Sequence, residues 1–197
     1  MTTTVAVFLK APRLGTVKTR LAADIGGRQA LRLYRVMAGR TLAAVRAAGL
    51  DATVWFTPAD AAAEMRLWLG ERWDLRPQSS GDLGRRLAAS ARSVPTGGGW
   101  LAVGADCPRL DAALLQEAVT IVERGQIVVG PSEDGGYYLV GGPTPMPDLF
   151  TGMPWSTSGV LDETRARLDR AGAAWCELVT LRDVDTVADA RAEGLLT

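Results

Sequence analysis

The 197 residues carry 22 basic and 22 acidic side chains, and 47% of the residues are hydrophobic. This length and apolar content predict one domain, spanning residues 1–197, with a sizeable core. Balanced charge gives no overall field for a nucleic acid polymer or an anionic membrane, so we expect neither as a partner. The absence of histidine excludes histidine-bound zinc, a Ser-His-Asp triad and an imidazole general base.

The chain has two cysteines, Cys107 and Cys176, without the CxxC spacing of a redox or zinc motif. Such a small number of cysteines without a motif is consistent with a reducing compartment, where thiols stay free. The N-terminal residues lack the layout of a signal peptide, and no stretch approaches the length of a membrane-spanning apolar run. We therefore expect a soluble, cytoplasmic protein.

Apolar runs typical of strands alternate with segments of helical periodicity along the chain. The predicted strands are 5–9, 52–56, 100–103, 127–129, 137–140 and 174–179. The predicted helices are 30–47, 59–69, 82–91, 111–124, 158–171 and 186–194. This alternation predicts an α/β fold, a three-layer α/β/α sandwich around a mostly parallel mixed sheet.

A cationic loop follows the first predicted strand. The segment Lys-Ala-Pro-Arg-Leu-Gly-Thr-Val-Lys-Thr-Arg runs from Lys10 to Arg20 and also contains Arg13 and Lys18. Backbone N–H groups near a helix start, together with such side chains, suit a phosphate. The alternative is a solvated loop, because neither a P-loop nor a GxGxxG pattern is present.

Acidic residues occur at two points of the chain where they can bind the divalent cation that accompanies a nucleotide. Asp106 follows the predicted strand 100–103, and Asp183 and Asp185 precede the last predicted helix. Mg²⁺ takes one or two carboxylates together with phosphate oxygens and water. We expect one aspartate of the later pair to cap that helix and Asp185 to face the ligand.

The topology of such sheets predicts where these segments meet. Ligand crevices lie beyond the carboxyl ends of the strands, so the loops 10–20, 104–109 and 130–136 are expected to converge. Within the last loop, Glu133 and Asp134 precede two glycines. This arrangement fits either a plain hairpin turn or a backbone that a ligand approaches closely.

Two other segments also allow two interpretations. The stretch from Gln78 to Asp82 offers an amide that can hydrogen-bond a base edge, or it is a capping loop with Asp82 at the helix N-cap. The stretch from Trp155 to Ser158 is either an aromatic lid over an acceptor or a packed turn with a cap, and we favour the packed turn.

Four ordered motifs extend through nearly the whole chain. They are FLKAPxxGxVKTRL from Phe8, QxxGDLGxRL from Gln78, GADCPxL from Gly104 and GPxxDGGYYL from Gly130. With Trp-Ser-Thr at 155–157 and Asp-Val-Asp-Thr at 183–186, they closely resemble the radical-SAM/selenodomain-associated transferase family. That family resembles the glycosyltransferase-A, nucleotide-diphospho-sugar transferase fold. The fold is shared with molybdenum-cofactor guanylyltransferases and with 2-phospholactate guanylyltransferase, whose first loop is similar to Lys18–Leu21.

The resemblance implies a set of site residues. The implied nucleotide-binding residues are Lys10, Pro12, Gly15, Lys18, Arg20, Gln78, Gly81 and Asp82. The implied metal ligands are Asp106 and Asp185, for Mg²⁺ or Mn²⁺. The implied catalytic residues are Lys18, Arg20 and Asp134. The chain departs from the pyrophosphorylase pattern because Ala11-Pro12 replaces a glycine-dense first loop.

The predicted activity is Mg²⁺-dependent nucleotidyl transfer, in which an acceptor phosphate attacks an NTP and pyrophosphate leaves. The acceptor is already anionic near neutral pH, so positioning and charge neutralisation suffice without a general base. Two alternatives stay open: glycosyl transfer from a nucleotide-sugar, with Asp134 or Glu133 as base, and nucleotide binding without turnover. The partners are then a nucleotide or nucleotide-sugar and a small acceptor, and homodimerisation is left open.

Overall fold

Seven strands form one mixed sheet in the computed structural model of the protein, which describes residues 2–196. The strands are β1 (Thr3–Lys10), β2 (Ala52–Thr57), β3 (Asp74–Pro77), β4 (Gly99–Val103), β5 (Ile127–Pro131), β6 (Tyr137–Pro143) and β7 (Trp175–Glu177). Their order across the sheet is β3-β2-β1-β4-β6-β5-β7. β6 runs antiparallel to β4 and β5, and every other adjacent pair is parallel.

Helices cover both faces of this sheet. They are α1 (Thr19–Ile25), α2 (Gly27–Ala47), α3 (Ala62–Leu69), α4 (Leu83–Ala91), α5 (Ala112–Glu123), α6 (Val160–Arg170) and α7 (Val187–Ala192), and a 3-10 turn at Ala59–Ala61 precedes α3. Residues of α2, α3 and α5 pack with one face of the sheet, and residues of α4 and α6 pack with the other. Within residues 2–196, no helix is long and apolar enough to cross a membrane.

The side chains of β1 show how the sequence produces the three layers. Val5, Val7 and Leu9 belong to the core cluster on one face of the sheet, whereas Ala6 belongs to the cluster on the other face and Phe8 packs against it. Successive side chains of a strand point to opposite faces, so a central strand covered on both sides is a continuous apolar run. The predicted fold class is confirmed.

Two elements were not predicted from the sequence. β3 is an edge strand of four residues with no fully buried side chain, and it ends at Pro77. It therefore has no apolar run to mark it, and proline suits such an edge position. α1 has seven residues, of which only Leu21 is buried, so it shows no stripe of helical periodicity.

Candidate active site

A cavity of about 760 Å³ opens beyond the carboxyl ends of β1, β2 and β4. This volume is in the range of sites that enclose a small organic ligand. Lys10, Asp106 and Asp134 line it, each from one of the three loops that were expected to converge. The sheet order brings these loops together, because β1 and β4 are neighbours and β6 lies next to β4.

The Lys18 ammonium group is the electrostatic centre of this cavity. Its Nζ lies 2.7 Å from Asp106 Oδ1 and 2.9 Å from Asp185 Oδ1. The Lys18 side chain is 5% exposed, whereas those of Asp106 and Asp185 are 55% and 39% exposed. Burial alone would lower the pKa of Lys18, but the two carboxylates outweigh it and hold that pKa above its ordinary value.

Buried apolar residues fix the loops that carry these three charges. Val17 and Leu21 are buried on either side of Lys18, and Val184 is buried next to Asp185. Leu21 and Val184 belong to one small core cluster, and the Val184 N–H donates to the Asp106 backbone oxygen at 2.9 Å. Packing and one backbone hydrogen bond thus bring Asp106 and Asp185 to the same ammonium group.

The backbone of Lys18 is in the left-handed region, with φ 48° and ψ 49°, at the N-cap of α1. A residue with a Cβ pays a conformational cost there, and such strain is concentrated at functional sites. Arg20, in the first turn of α1, places Nη1 3.4 Å from Asp185 Oδ2, and its side chain is 80% exposed. The loop therefore presents a buried cation, Lys18, and an exposed cation, Arg20, to the cavity.

The carboxylates of Asp106 and Asp185 fit a divalent cation. Both point an oxygen at the same positive group, Lys18 Nζ, and both retain access to the cavity. Among residues 2–196, no group of three or more acidic, histidine or cysteine side chains has the spacing of a complete metal site. Two carboxylates supplemented by substrate phosphates and water are the arrangement that Mg²⁺ commonly uses.

Tyr34 of α2 is a component of the site that its sequence pattern did not reveal. Its Oη accepts a hydrogen bond from the Lys10 N–H and donates one to the Lys10 carbonyl, both at 2.8 Å. β4 pairs with β1 only as far as Val7, so the far end of β1 has no strand partner on that side. The hydroxyl replaces that partner, although Tyr34 had the apolar spacing of a core helix residue.

Replacing Tyr34 by phenylalanine is expected to lower the free energy of unfolding by about 1–3 kcal/mol, because both polar groups of Lys10 lose their partner. Denaturation by urea measures this. The matched control is Tyr137→Phe, since the buried Tyr137 hydroxyl has no hydrogen-bond partner among the described residues. That control should be nearly neutral, and equal losses in the two variants would contradict this role of Tyr34.

Asp134 lies in the hairpin between β5 and β6 and faces the cavity. One of its oxygens accepts hydrogen bonds from the Ser132 hydroxyl and from the Gly136 N–H. Gly135 has φ +85°, and a Cβ on it would lie 2.2 Å from the Ser158 carbonyl oxygen. The segment is a hairpin turn, and the lack of a side chain on its glycine lets the residues just before α6 pack closely against it. Glu133 instead pairs with Arg182 at 2.7 Å.

The expectation that Asp183 or Asp185 caps the last helix is wrong. The N-cap of α7 is Thr186, whose hydroxyl accepts from the Asp189 N–H, while the Asp189 carboxylate accepts from the Thr186 N–H. Asp185 is engaged with Lys18 and Arg20. Asp183 is half-buried, and burial together with the nearby charge of Asp134 raises its pKa to about 6.

The raised pKa of Asp183 predicts a pH-dependent effect on stability. The folded state binds the proton more tightly than the unfolded state, so this group destabilises the protein as pH rises through about 4 to 6. Asp183→Asn should therefore raise the melting temperature at about pH 7, and this gain should shrink toward about pH 4. Melting curves in EDTA test this, with Asp51→Asn as an exposed control. A gain that does not vary with pH would contradict the assignment.

Gln78 lines the cavity, but its side chain is already engaged. Its Nε2 donates to the backbone oxygens of Trp55 at 2.9 Å and of Leu9 at 3.3 Å, and its Oε1 accepts from Arg86 at 3.3 Å. Asp82 caps α4 by accepting from the Arg85 N–H at 2.8 Å, as the structural interpretation of this segment predicted. Gly81, with φ +104°, forms the turn between Gln78 and Asp82.

Several predicted residues of the first loop lie outside the cavity wall. Arg13 pairs with Glu64 at 2.8 Å and with Asp60 at 3.3 Å, so it does not join the cationic cluster. Pro12 borders a smaller surface depression beside Glu64, and Gly15 forms an open turn with φ +79°. Lys10, Lys18 and Arg20 line the cavity.

Trp155 forms part of a packed turn, as favoured from the sequence. Its ring lies edge-on to Tyr137 at 6.3 Å between centroids. A Cβ on Gly84 would lie 2.5 Å from the Phe150 carbonyl and 2.9 Å from Trp155 Nε1, so glycine lets α4 approach this turn. The same turn contributes to the cavity wall through Trp155 and its neighbours 156–158.

Solved structures share this fold. A proposed nucleotide-diphospho-sugar transferase from Desulfovibrio desulfuricans G20 is 29% identical, over 98% of this chain and 87% of its own, with a TM-score of 0.91. Rv0371c from Mycobacterium tuberculosis H37Rv, in complex with manganese, is 20% identical over 96% of each chain, with a TM-score of 0.53. A nucleotidyl transferase from Methanothermobacter thermautotrophicus is 15% identical over 96% and 95%, with a TM-score of 0.62.

Comparison with sequences identifies the family of the chain. A search of curated proteins finds no match. The profile of a bacterial family matches residues 41–157, more than half of the chain, and this range contains Gln78, Asp106 and Asp134. The chain therefore belongs to the family described as "Uncharacterized protein conserved in bacteria (DUF2064)".

Proposed function

We propose that the protein is a divalent-cation-dependent nucleotidyltransferase that moves an NMP group from an NTP to a small phosphorylated acceptor. The observation that carries this proposal is the position of the Lys18 ammonium between Asp106 and Asp185 in the wall of a ligand-sized cavity. One fixed cation beside two converging carboxylates suits a triphosphate and its metal ion.

The chain's own residues bind and orient the phosphates in this mechanism. Lys18 and Arg20 neutralise the charge that develops on the phosphoryl oxygens, and their loop fixes the triphosphate relative to the acceptor. An acceptor phosphate oxygen forms a bond to the α-phosphorus, and the bond between that phosphorus and the bridging oxygen of the β-phosphate breaks. The electron pair leaves with pyrophosphate, and no proton needs to be removed from the acceptor.

Asp106 and Asp185 would hold the cation, Mg²⁺ or Mn²⁺. The metal, when bound, would neutralise negative charge on the substrate phosphates. The manganese complex of Rv0371c, a protein of the same fold, supports a divalent ion as the cofactor. We also propose that the chain is one of the radical-SAM/selenodomain-associated transferases and is related to guanylyltransferases. A cytoplasmic location is part of the same proposal.

A second candidate is glycosyl transfer from a nucleotide-sugar. Asp134 faces the cavity with one oxygen free of the turn's hydrogen bonds, so it can take the proton of a hydroxyl acceptor. The name of the similar protein from Desulfovibrio desulfuricans G20 also favours a sugar-nucleotide donor. Glu133 is the poorer base, because it is paired with Arg182.

The leaving group separates the two candidates. The protein is incubated with Mg²⁺ and a panel of phosphorylated and hydroxyl acceptors, with NTPs in one series and nucleotide-sugars in the other. Pyrophosphate release in the first series is the expected result. Release of nucleoside diphosphate only from nucleotide-sugars would establish the second candidate, and tight NTP binding without any product would indicate a binding protein.

A further inference from the structure

Gln78 and Arg86 form a connected pair in the cavity wall. Gln78 Nε2 is committed to two backbone oxygens, one from β1 and one from β2. Its remaining acceptor, Oε1, receives Arg86 Nη1 at 3.3 Å, and Arg86 Nε donates to the Gly81 carbonyl at 3.0 Å. Gln78 thus anchors the guanidinium to the ends of two sheet strands.

The rest of the Arg86 guanidinium is available to a ligand. Arg86 is half-buried and lines the cavity, and no carboxylate among residues 2–196 lies within ion-pair distance of it. Its Nη2 makes no hydrogen bond to the described part of the chain. A partly desolvated cation that has neutral hydrogen-bond partners but no carboxylate beside it favours a ligand that brings further hydrogen-bond acceptors.

The surroundings of Arg86 distinguish it from the phosphate-binding loop. Phe8, Leu83 and Leu87 line the same cavity, and Leu83 is 42% exposed although it is apolar. The cations that suit phosphates, Lys18 and Arg20, belong to the separate loop that precedes and begins α1. Apolar side chains beside a planar donor group match a flat ring with acceptor atoms on its edge.

We propose that Arg86 binds the carbonyl edge of the nucleobase and that Gln78 is a positioning residue that holds the guanidinium. The proposal rests on the proposed nucleotide binding. Because a guanidinium only donates, it favours guanine, with O6 and N7, or uracil, with O4. Adenine presents an amino donor at the equivalent position of its edge, so Arg86 discriminates against it.

The experiment measures Kd for GTP, UTP and ATP with Mg²⁺, using the intrinsic tryptophan fluorescence of the protein. The wild type should bind GTP or UTP about 5- to 150-fold more tightly than ATP. Arg86→Met should bring this ratio close to one while ATP affinity changes little. Arg86→Lys keeps the positive charge but lacks the planar donor group, so its preference for GTP or UTP over ATP should also be lost. Gln78→Leu should lose part of this preference.

Arg85→Met is the matched control, because Arg85 is exposed on the same helix and does not line the cavity. It should retain the wild-type ratio, and melting curves show that each variant is folded. If Arg86→Met lowers the affinity for all three nucleotides equally, Arg86 contacts a phosphate and the proposal is overturned. An unchanged ratio, or a wild type that prefers ATP, would overturn it as well. A wild type that binds no nucleotide would reject the proposed function together with it.

Discussion

Replacing Asp106 by asparagine is expected to lower kcat/KM for nucleotidyl transfer by about 10²- to 10⁴-fold. The substitution keeps the shape of the side chain but removes a charge that lies 2.7 Å from Lys18 Nζ. If Asp106 holds the cation, the concentration of Mg²⁺ that gives half-maximal rate should also rise. Initial rates measured over a series of Mg²⁺ concentrations show both effects.

The control for this substitution is Asp51→Asn, an exposed aspartate that does not line the cavity. It should leave the rate and its Mg²⁺ dependence unchanged. Wild-type turnover by Asp106→Asn, with wild-type dependence on Mg²⁺, would remove Asp106 from the cation site. The assignment of Asp185 would then lose its main support, because the two residues are linked through the same ammonium group.

Replacing Lys18 by methionine is expected to abolish transfer and to change how the protein responds to a divalent cation. Without the ammonium group, Asp106 and Asp185 lose the cation they share and only the exposed Arg20 stays near Asp185, which should cost about 1–3 kcal/mol of stability in EDTA. The cost is below that of a fully buried pair because both carboxylates are partly exposed. Mn²⁺ should restore stability, since a cation can replace the missing charge.

Melting temperatures of wild type and variant, each with Mn²⁺ and with EDTA, measure this response. The Mn²⁺-induced increase should be larger in Lys18→Met than in the wild type. Lys10→Met is the control, because the exposed Lys10 side chain has no carboxylate partner among the described residues. A Mn²⁺ response that is equal in Lys18→Met and the wild type would contradict a cation position between Asp106 and Asp185.

Most of the strands and helices that the sequence predicted have a continuous apolar run or a buried stripe. β1, β4 and α2 are examples, because burial of regular elements imposes a period on the residue pattern. β3 could not be found this way, since an edge strand with exposed side chains carries no such period. The convergence of the loops followed from the general position of ligand crevices in α/β sheets.

The contacts within the site could be predicted less well. Sequence showed that Gln78 has a donor and an acceptor, but not that backbone oxygens of β1 and β2 lie within reach of the donor. Tyr34 had the spacing of a core residue, and its contact with Lys10 depends on where β4 ends. The left-handed backbone of Lys18 has no sequence signal, because glycine is the residue that normally marks such a position.

A crystal structure with Mn²⁺ and a non-hydrolysable NTP tests the central claim most directly, because Mn²⁺ is located by its anomalous scattering. The account predicts a Mn²⁺ peak coordinated by Asp106 and Asp185, with the triphosphate in hydrogen-bond contact with Lys18 and Arg20. A nucleotide or Mn²⁺ ion bound away from these four residues would contradict it.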